Sequence, residues 1–343
     1  VFISDFLDWA GIGNANAKFG IPGNQIIPGL ALISAGNGIS VGGRAVNEDN
    51  VTNTFHYGDN LTILRGRHSL KMGGQWLRYQ QNRFYPGNNG LLGGFTYTGI
   101  FTGVAFADFL LDLLQNKSIG SQSGTWGHRQ NRIGIFFQDD FKVRNNLTLN
   151  LGMRWEYTSP VVEVKDRQSN FDLITGKQLF AGRDGNSRAL YKPFYKGFEP
   201  RIGFAWTPEM FDRKLVVRAG YGITQYMEGT GSNLRLPLNP PLFSEADQSY
   251  DTSTGAGTIG FTAVVIRNVP SGLIRVWNPD LRPQFTQQWN LTLEYQLSNA
   301  TSISAGYVGH KATHLVAPTD WNQPLPGTGA PSTWVNFNLR RPL

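Results

Sequence analysis

The sequence contains no cysteine, which removes disulfides, thiol catalysis and cysteine-ligated metals together. It also lacks an apolar run of the length a membrane helix needs, about 18 residues or more, so no transmembrane helix is on offer. No basic run interleaved with aromatics is present; the formal net charge of +7 is spread over strands and loops. That spread reads as a solvated lumen and rim, and no nucleic-acid partner is expected. No serine–histidine–aspartate order, glycine cradle or carboxylate pair stands out as catalytic, so the chain is read as a non-enzyme that needs no cofactor. The ends lack their usual marks. Val1 is not an initiator, no signal peptide precedes the first strand, and residues 338–343 do not form a closing amphipathic strand. The chain reads as an internal piece of a longer protein.

What is present is glycine and aromatic side chains: 41 Gly, 22 Phe, 12 Tyr and 9 Trp in 343 residues, a bias that β-barrels share. The mean hydropathy of −0.28 agrees with a barrel, because half of each barrel strand faces water.

The strongest local signal is the stretch 284–297. Phe285, Trp289, Leu291, Leu293, Tyr295 and Leu297 share one parity, broken by Gln287; Thr286, Gln288, Asn290, Thr292, Glu294 and Gln296 take the other. A strand turns successive side chains to opposite faces, so one face is greasy and one is wet. Tilted near 45°, such a run rises roughly 30 Å, one hydrocarbon thickness. The pattern returns in 147–158, in 214–226 with Val216 off pattern, in 129–143 with Phe136 and Asp139 off pattern, and in 198–206. Weaker versions lie in 52–65, 68–83 and 301–314. Tight links at 66–67, 144–146, 209–213 and 298–300 alternate with long ones at 84–128, 160–197 and 229–283. Short turns on one rim and long loops on the other mark an outer-membrane barrel. The fold class is therefore all-β: an antiparallel transmembrane β-barrel segment, with residues 51–315 as partial barrel. Residues 1–50 read as a long extracellular loop or the end of a preceding strand, and 316–343 as the start of a further loop.

A soluble β-sandwich also alternates apolar and polar residues; strand length, loop asymmetry and aromatic placement favour the membrane. With the tight turns periplasmic, Trp155, Tyr157, Phe198 and Phe285 fall near the outer interface, and Phe141, Trp206 and Tyr295 near the inner one, as two aromatic girdles. The wet parity carries Arg132, Arg154, Glu156, Glu199, Arg201, Arg218, Gln288, Asn290 and Glu294, which are expected to line the lumen as a hydrated wall touching a plug or a polar solute.

Several segments carry a family resemblance. Residues 58–74 (GDNLTILRGRHSLKMGG), 105–111 (AFADFLL), 137–143 (FQDDFKV), 147–156 (LTLNLGMRWE), 200–206 (PRIGFAW) and 307–315 (YVGHKATHL) together resemble the barrel of Oar-like TonB-dependent receptors, the group that often carries a carboxypeptidase-regulatory-like domain. The match covers most of residues 50–315. The resemblance implies a 22-strand outer-membrane barrel plugged by an N-terminal domain, energised through the TonB complex and taking up a scarce solute. No plug, TonB-contacting segment or regulatory domain is recognised here, so the chain is expected to form an open sheet, a slice of the wall. Its partners would be outer-membrane lipid, lipopolysaccharide, the plug of the same protein and an unknown solute. A complete eight-stranded anchor, adhesin or barrel enzyme and a secreted carbohydrate-binding sandwich stand as alternatives.

Smaller features are read blandly. His310 and His314, four apart near the top of the last strand and so on one parity, lie about 13 Å from each other, too far to share a metal. Adjacent Asp139 and Asp140 point to opposite faces and are hydrated near a turn. Phe106, Phe109, Leu110 and Leu113 recur at helical spacing with Asp108 and Asp112 on the other side, which predicts a short amphipathic loop helix over 105–114. Residues 170–181 read as a loop hairpin. Proline-rich stretches at 236–241 and 324–331 stiffen connections without specifying a ligand.

Overall fold

The computed structural model describes residues 11–21, 27–36, 38–46, 48–120, 124–227, 236–243, 245–250, 274–317 and 319. The proline-rich 324–331 stretch and the 338–343 end lie outside them. Eight long strands form one antiparallel sheet: β1 (Asp49–Arg65), β2 (His68–Phe84), β3 (Trp126–Arg144), β4 (Leu147–Thr158), β5 (Phe198–Trp206), β6 (Leu215–Tyr226), β7 (Gln284–Ser298) and β8 (Thr301–Thr313). Their spatial order is their chain order, and a two-residue strand, Val162–Glu163, pairs with the loop end of β3. Among the described residues β1 and β8 do not pair, so the sheet is an open wall with two free edges.

Sequence explains the meander. Arg65 pairs directly with His68 across Gly66 and Arg67, with Gly66 supplying a left-handed φ of +59°, the geometry a two-residue hairpin demands. Bulges between Lys142 and Arg144 and between Gln296 and Ser298 absorb the next tight turns. Two strands run longer than the alternation predicts: β1 begins at Asp49 and β3 at Trp126.

Register aligns the two parities across the whole wall. One row joins Trp76, Ile133 and Tyr157; another joins Tyr221, Trp289 and Gly309. The apolar face stays uncovered: Ile135 is 54% exposed, Ile202 56% and Tyr307 63%. None of the four buried apolar clusters of the described residues includes a residue from the middle of that face. A sandwich would bury this face against a second sheet. On β4 the apolar run Leu147–Tyr157 spans roughly 33 Å along the strand, or about 23 Å at 45° tilt, near the 25 Å band of an outer-membrane barrel.

Residues that break the alternation mostly have partners. Asp139 sits on the greasy face but is bonded to His68 Nδ1 at 2.7 Å, and His68 in turn stacks on Phe141 at 4.3 Å. Phe136, on the wet face, lies over Gly73, where a Cβ would approach its ring to 2.9 Å. Gln287 accepts from the Tyr221 hydroxyl at 3.3 Å. Val216 faces Glu294, and nothing in the structure explains it. Large side chains lie over glycine elsewhere too: a Cβ on Gly309 would come within 2.5 Å of the Trp289 indole.

The long connections are not structureless. They interweave at one rim into a cap with its own five-stranded sheet, ordered Glu245–Ser249, Asn116–Gly120, Gly94–Thr96, Leu32–Ser34 and Ser40–Val41. The described part of 1–50 thus supplies two short cap strands and, from Asp49, the start of the first wall strand. Leu30, Ala31, Phe95, Tyr97 and Leu114 make one buried cluster of the cap. The hairpin read at 170–181 is present as Ser169–Asp172 paired with Lys177–Phe180.

Two expectations are revised. The loop helix is only Ala105–Leu110. Asp112 takes a left-handed φ of +53°, which stops it. Its orientation also differs: Asp108 is fully buried and Leu110 is exposed, while Phe109 packs on the cap cluster. Second, His314 does not share His310's face. His310 pairs with Gln288 on the wet side, whereas His314 has a φ of +59° and its ring meets Phe285 edge-on. The metal reading fails on geometry rather than on distance alone.

Candidate functional site

The nine residues read as lumen wall all fall on the wet face, joined by register. Arg201 pairs with Gly152 and Gly222, Glu199 with Arg154, Arg218 with Thr292, and Asn290 with Gly220. Several of their charges are paired. Arg218 Nη1 meets Glu294 Oε2 at 3.2 Å with both groups largely open to water. Arg132 Nε donates to Gln130 Oε1 at 3.2 Å.

A tighter cluster lies near the cap. Arg154 donates to Glu156 Oε2 through Nε at 3.0 Å and Nη2 at 2.8 Å, while Glu199 stands 3.9 Å from Arg154 and 3.7 Å from Arg201. Glu199 corrects the simple picture of an open wall: it is 3% exposed. Its Oε1 accepts the backbone N–H of Gln225 at 2.9 Å, just beyond the last β5–β6 ladder pair. The carboxylate replaces a strand carbonyl there. Toward the turn rim, Asp140 accepts from Asn150 at 2.7 Å, Gln138 at 3.0 Å and Lys71 at 3.4 Å. A paired, amide-rich face of this kind contacts water, a second protein element or a polar solute; it holds no poised nucleophile. Among the described residues no cluster of His, Asp and Glu is arranged to hold a metal ion.

On the greasy face, Phe198 pairs with Trp155 and Trp206 with Leu147; Tyr295 pairs with Leu215, and Phe285 with Thr313. The cap reaches down to this rim. Trp155 Nε1 donates to the Tyr195 carbonyl at 2.8 Å, Tyr157 stacks on Tyr195 at 4.9 Å, and Phe194 meets Phe285 at 6.0 Å.

Sequence alone does not give the residues that fix the cap their roles. Glu163 is fully buried and gathers the N–H groups of Gly127 at 3.0 Å, Lys165 at 2.7 Å and Arg167 at 2.8 Å. Burial alone would raise its pKa, but those donors and the Arg167 charge hold it below the usual carboxylate value. Asp108 is similar: burial opposes its charge, yet the Thr102 hydroxyl and the N–H groups of Phe101 and Thr102 keep its pKa low. Both stand alone among apolar neighbours, Glu163 within Val161-Val162-Glu163-Val164, and that isolation is a readable signal. Asn170 and Asn239 offer none. Each clamps an incoming extended segment as a strand would. Asn170 accepts from Trp277 N at 2.9 Å and donates to its carbonyl at 2.7 Å; Asn239 does both to Arg275 at 2.7 Å.

A one-layer sheet with one lipid-compatible face, tight turns at one rim and a cap at the other defines the wall of a transmembrane β-barrel. The profile of the outer membrane beta barrel domain family matches residues 5–343, and the chain belongs to that family and to the outer membrane. Among solved structures it is similar to the siderophore receptor PirA from Pseudomonas aeruginosa, with 11% identity and a TM-score of 0.31 over 82% of this chain and 43% of that one. It is also similar to the alcaligin outer-membrane receptor FauA from Bordetella pertussis, with 13% identity and a TM-score of 0.30 over 82% and 44%. The ferric-catecholate import receptor Fiu from E. coli K12 gives 12% identity and 0.29 over 80% and 39%. The chain spans less than half the length of each. No curated protein sequence matches it.

Proposed function

We propose that this chain is barrel wall and cap of a TonB-dependent outer-membrane receptor of the Oar-like group, taking up a large, scarce solute. Cap loops and plug would bind the solute, and the TonB complex would rearrange the plug. Residues here supply the wall and the cap, not the moving part. The observation that carries this reading is the open edge: eight strands in chain order, with β1 and β8 not paired to each other among the described residues. A complete eight-stranded barrel needs those two strands to pair. The paired charges of the wet face suit contact with a plug. The family-like segments at 58–74 and 307–315 support the Oar-like assignment.

The test uses cells carrying the full-length gene and a panel of labelled ferric chelates, cobalamin, glycans and peptides. Uptake of at least one class is expected to disappear equally when the receptor or TonB is deleted, with no further loss in the double deletion. Equal entry of every class with and without an energised inner membrane would refute it.

A further inference from the structure

We propose that Asp59 is half of an ion pair within the greasy face of the wall. The strand that joins the free edge of β1 carries a basic side chain (Lys, Arg or His) against it, and the pair fixes that strand's register. The inference rests on the reading of this chain as part of a larger barrel and adds to it the chemistry of the joining strand.

Below the row of Trp76 and Ile133 the greasy parity of the eight strands carries two carboxylates, Asp139 and Asp59. Asp139 lies inside the sheet and has its base: His68 Nδ1 reaches it at 2.7 Å from a diagonal position on β2. Asp59 lies on the edge strand, opposite Gly74 and in the row of Ile135. It stands six residues above Arg65, which pairs with His68 across the tight turn. That is about 14 Å above the turn at 45° tilt, within the hydrocarbon band. Tyr57 and Leu61 flank it on the same face, and the Tyr57 ring stacks on Trp76 at 5.5 Å. Asp59 is exposed and forms no ion pair among the described residues.

Backbone geometry places the carboxylate at the edge. Arg65 and His68 close a two-residue hairpin and so exchange both backbone bonds, and the β1–β2 register runs on without a shift. Every second residue of β1 therefore bonds to β2: Ile63, Leu61, Asp59 and Tyr57. The N–H and C=O groups of Thr62, Asn60 and Gly58 point to the free edge instead. Asp59 Oδ1 accepts the Asn60 N–H at 2.8 Å, so its carboxylate leans over that edge.

In hydrocarbon the edge N–H and C=O groups need a partner strand, and a carboxylate among them needs an opposite charge. Gly74 offers no side chain and Tyr57 and Leu61 offer no cation, so the charge comes from the joining strand. A strand bonded at Asn60 sets one residue directly opposite Asp59 on the greasy face, in the pairing where side chains approach closest. A slip of one residue turns that side chain to the wet face. The pair thus rewards one register over its neighbours, at the seam where the wall is extended.

The experiment uses the full-length protein folded into lipid vesicles. Asp59→Cys is combined with single cysteines along the greasy parity of every other strand of the barrel, β8 included, and the disulfide formed on oxidation identifies the facing residue. Leu61→Cys reports the same register if Asp59→Cys does not fold. The expected result is a bond to a strand outside this chain whose native residue opposite Asp59, or at one of the two diagonal positions, is Lys, Arg or His. Neutral residues at all three positions would overturn the proposal and leave the larger barrel standing. A bond to β8 would close eight strands on themselves and overturn the larger-barrel reading together with the proposal. Once the partner is known, Asp59→Lys is expected to lower the folding equilibrium constant about tenfold, the scale of one charged hydrogen bond. Placing Asp at the facing position of that variant is expected to recover most of the loss; a swap no more stable than Asp59→Lys alone would overturn the ion pair.

Discussion

The wall and the cap use the same apolar side chains in opposite ways. In the cap, Leu30, Leu92, Phe95 and Leu238 are buried in its own small apolar clusters. In the wall, Ile133, Leu151, Ile202 and Leu293 stand exposed along a continuous face. The cap makes its own oil, and the wall borrows oil from the bilayer. Exposure therefore does not measure tolerance in this molecule. An exposed position on an ordinary soluble surface changes stability by about 0.5 kcal/mol or less. At Ile135, 54% exposed in the middle of the greasy face, arginine is expected to cost about 2–4 kcal/mol, the toll for that charge at mid-bilayer. The measurement is urea unfolding of the full-length protein in lipid vesicles. A change near zero would break the comparison at its root, because no hydrocarbon would then cover the face.

The cap is sharpened by its polar groups, which are buried and bonded. Asn170→Ala removes both hydrogen bonds to the Trp277 backbone and leaves that N–H and carbonyl without their partner. The expected loss is about 1–3 kcal/mol, confined to the cap. Hydrogen exchange checks it: protection around Trp277 should fall while that of β4 and β5 stays unchanged. Uniform loss would mean that wall and cap unfold as one unit.

That difference also explains what the sequence could tell. Strands 147–158 and 198–206 are legible to the residue, because a wall strand answers to a single rule, one face to lipid and one to water. Its exceptions need tertiary knowledge: Asp139 is tolerated through His68, and Phe136 through Gly73. The cap obeys no periodicity. Its strands are two to five residues long and pair across distant parts of the chain, such as Glu245–Ser249 with Asn116–Gly120. Helical spacing finds the helix that begins at Ala105 but neither its end nor its orientation, since Asp108 gains more from capping the loop at Phe101 and Thr102 than from facing water. Among the wet-face residues, parity identified the face, but the burial of Glu199 depends on where the β5–β6 ladder stops.

The pH response separates the regions again. Glu163 titrates in the folded cap below the ordinary glutamate value of 4.5. A depressed carboxylate contributes stability that is complete above the unfolded pKa and is lost as pH falls through the folded one. Cap protection around Gly127, Lys165 and Arg167 should therefore hold at pH 6 and decline below about pH 4.5, approaching the level of Glu163→Gln. Protection factors corrected for intrinsic exchange provide the readout. A Glu163→Gln protein that keeps wild-type protection at pH 6 would show that the carboxylate charge contributes nothing to holding this corner.

The smallest effect belongs to the open ion pair of the wall. Arg218 and Glu294 meet diagonally across β6 and β7 at 3.2 Å, with both side chains wet. An exposed pair of this kind is worth about 0–1 kcal/mol and is screened by salt. Arg218→Ala should thus lower stability by less than about 1 kcal/mol, with the difference fading at high ionic strength. Glu199→Ala is the contrasting case, because it strips a buried acceptor from Gln225 N–H and leaves Arg154 and Arg201 without that shared carboxylate. Unfolding curves of both variants at low and high salt read the contrast directly. A larger, salt-resistant loss at Arg218 would mean that the wet face near β6 and β7 is shielded from water in the full-length protein. In that case the pair belongs to a contact with another protein element rather than to an open lumen.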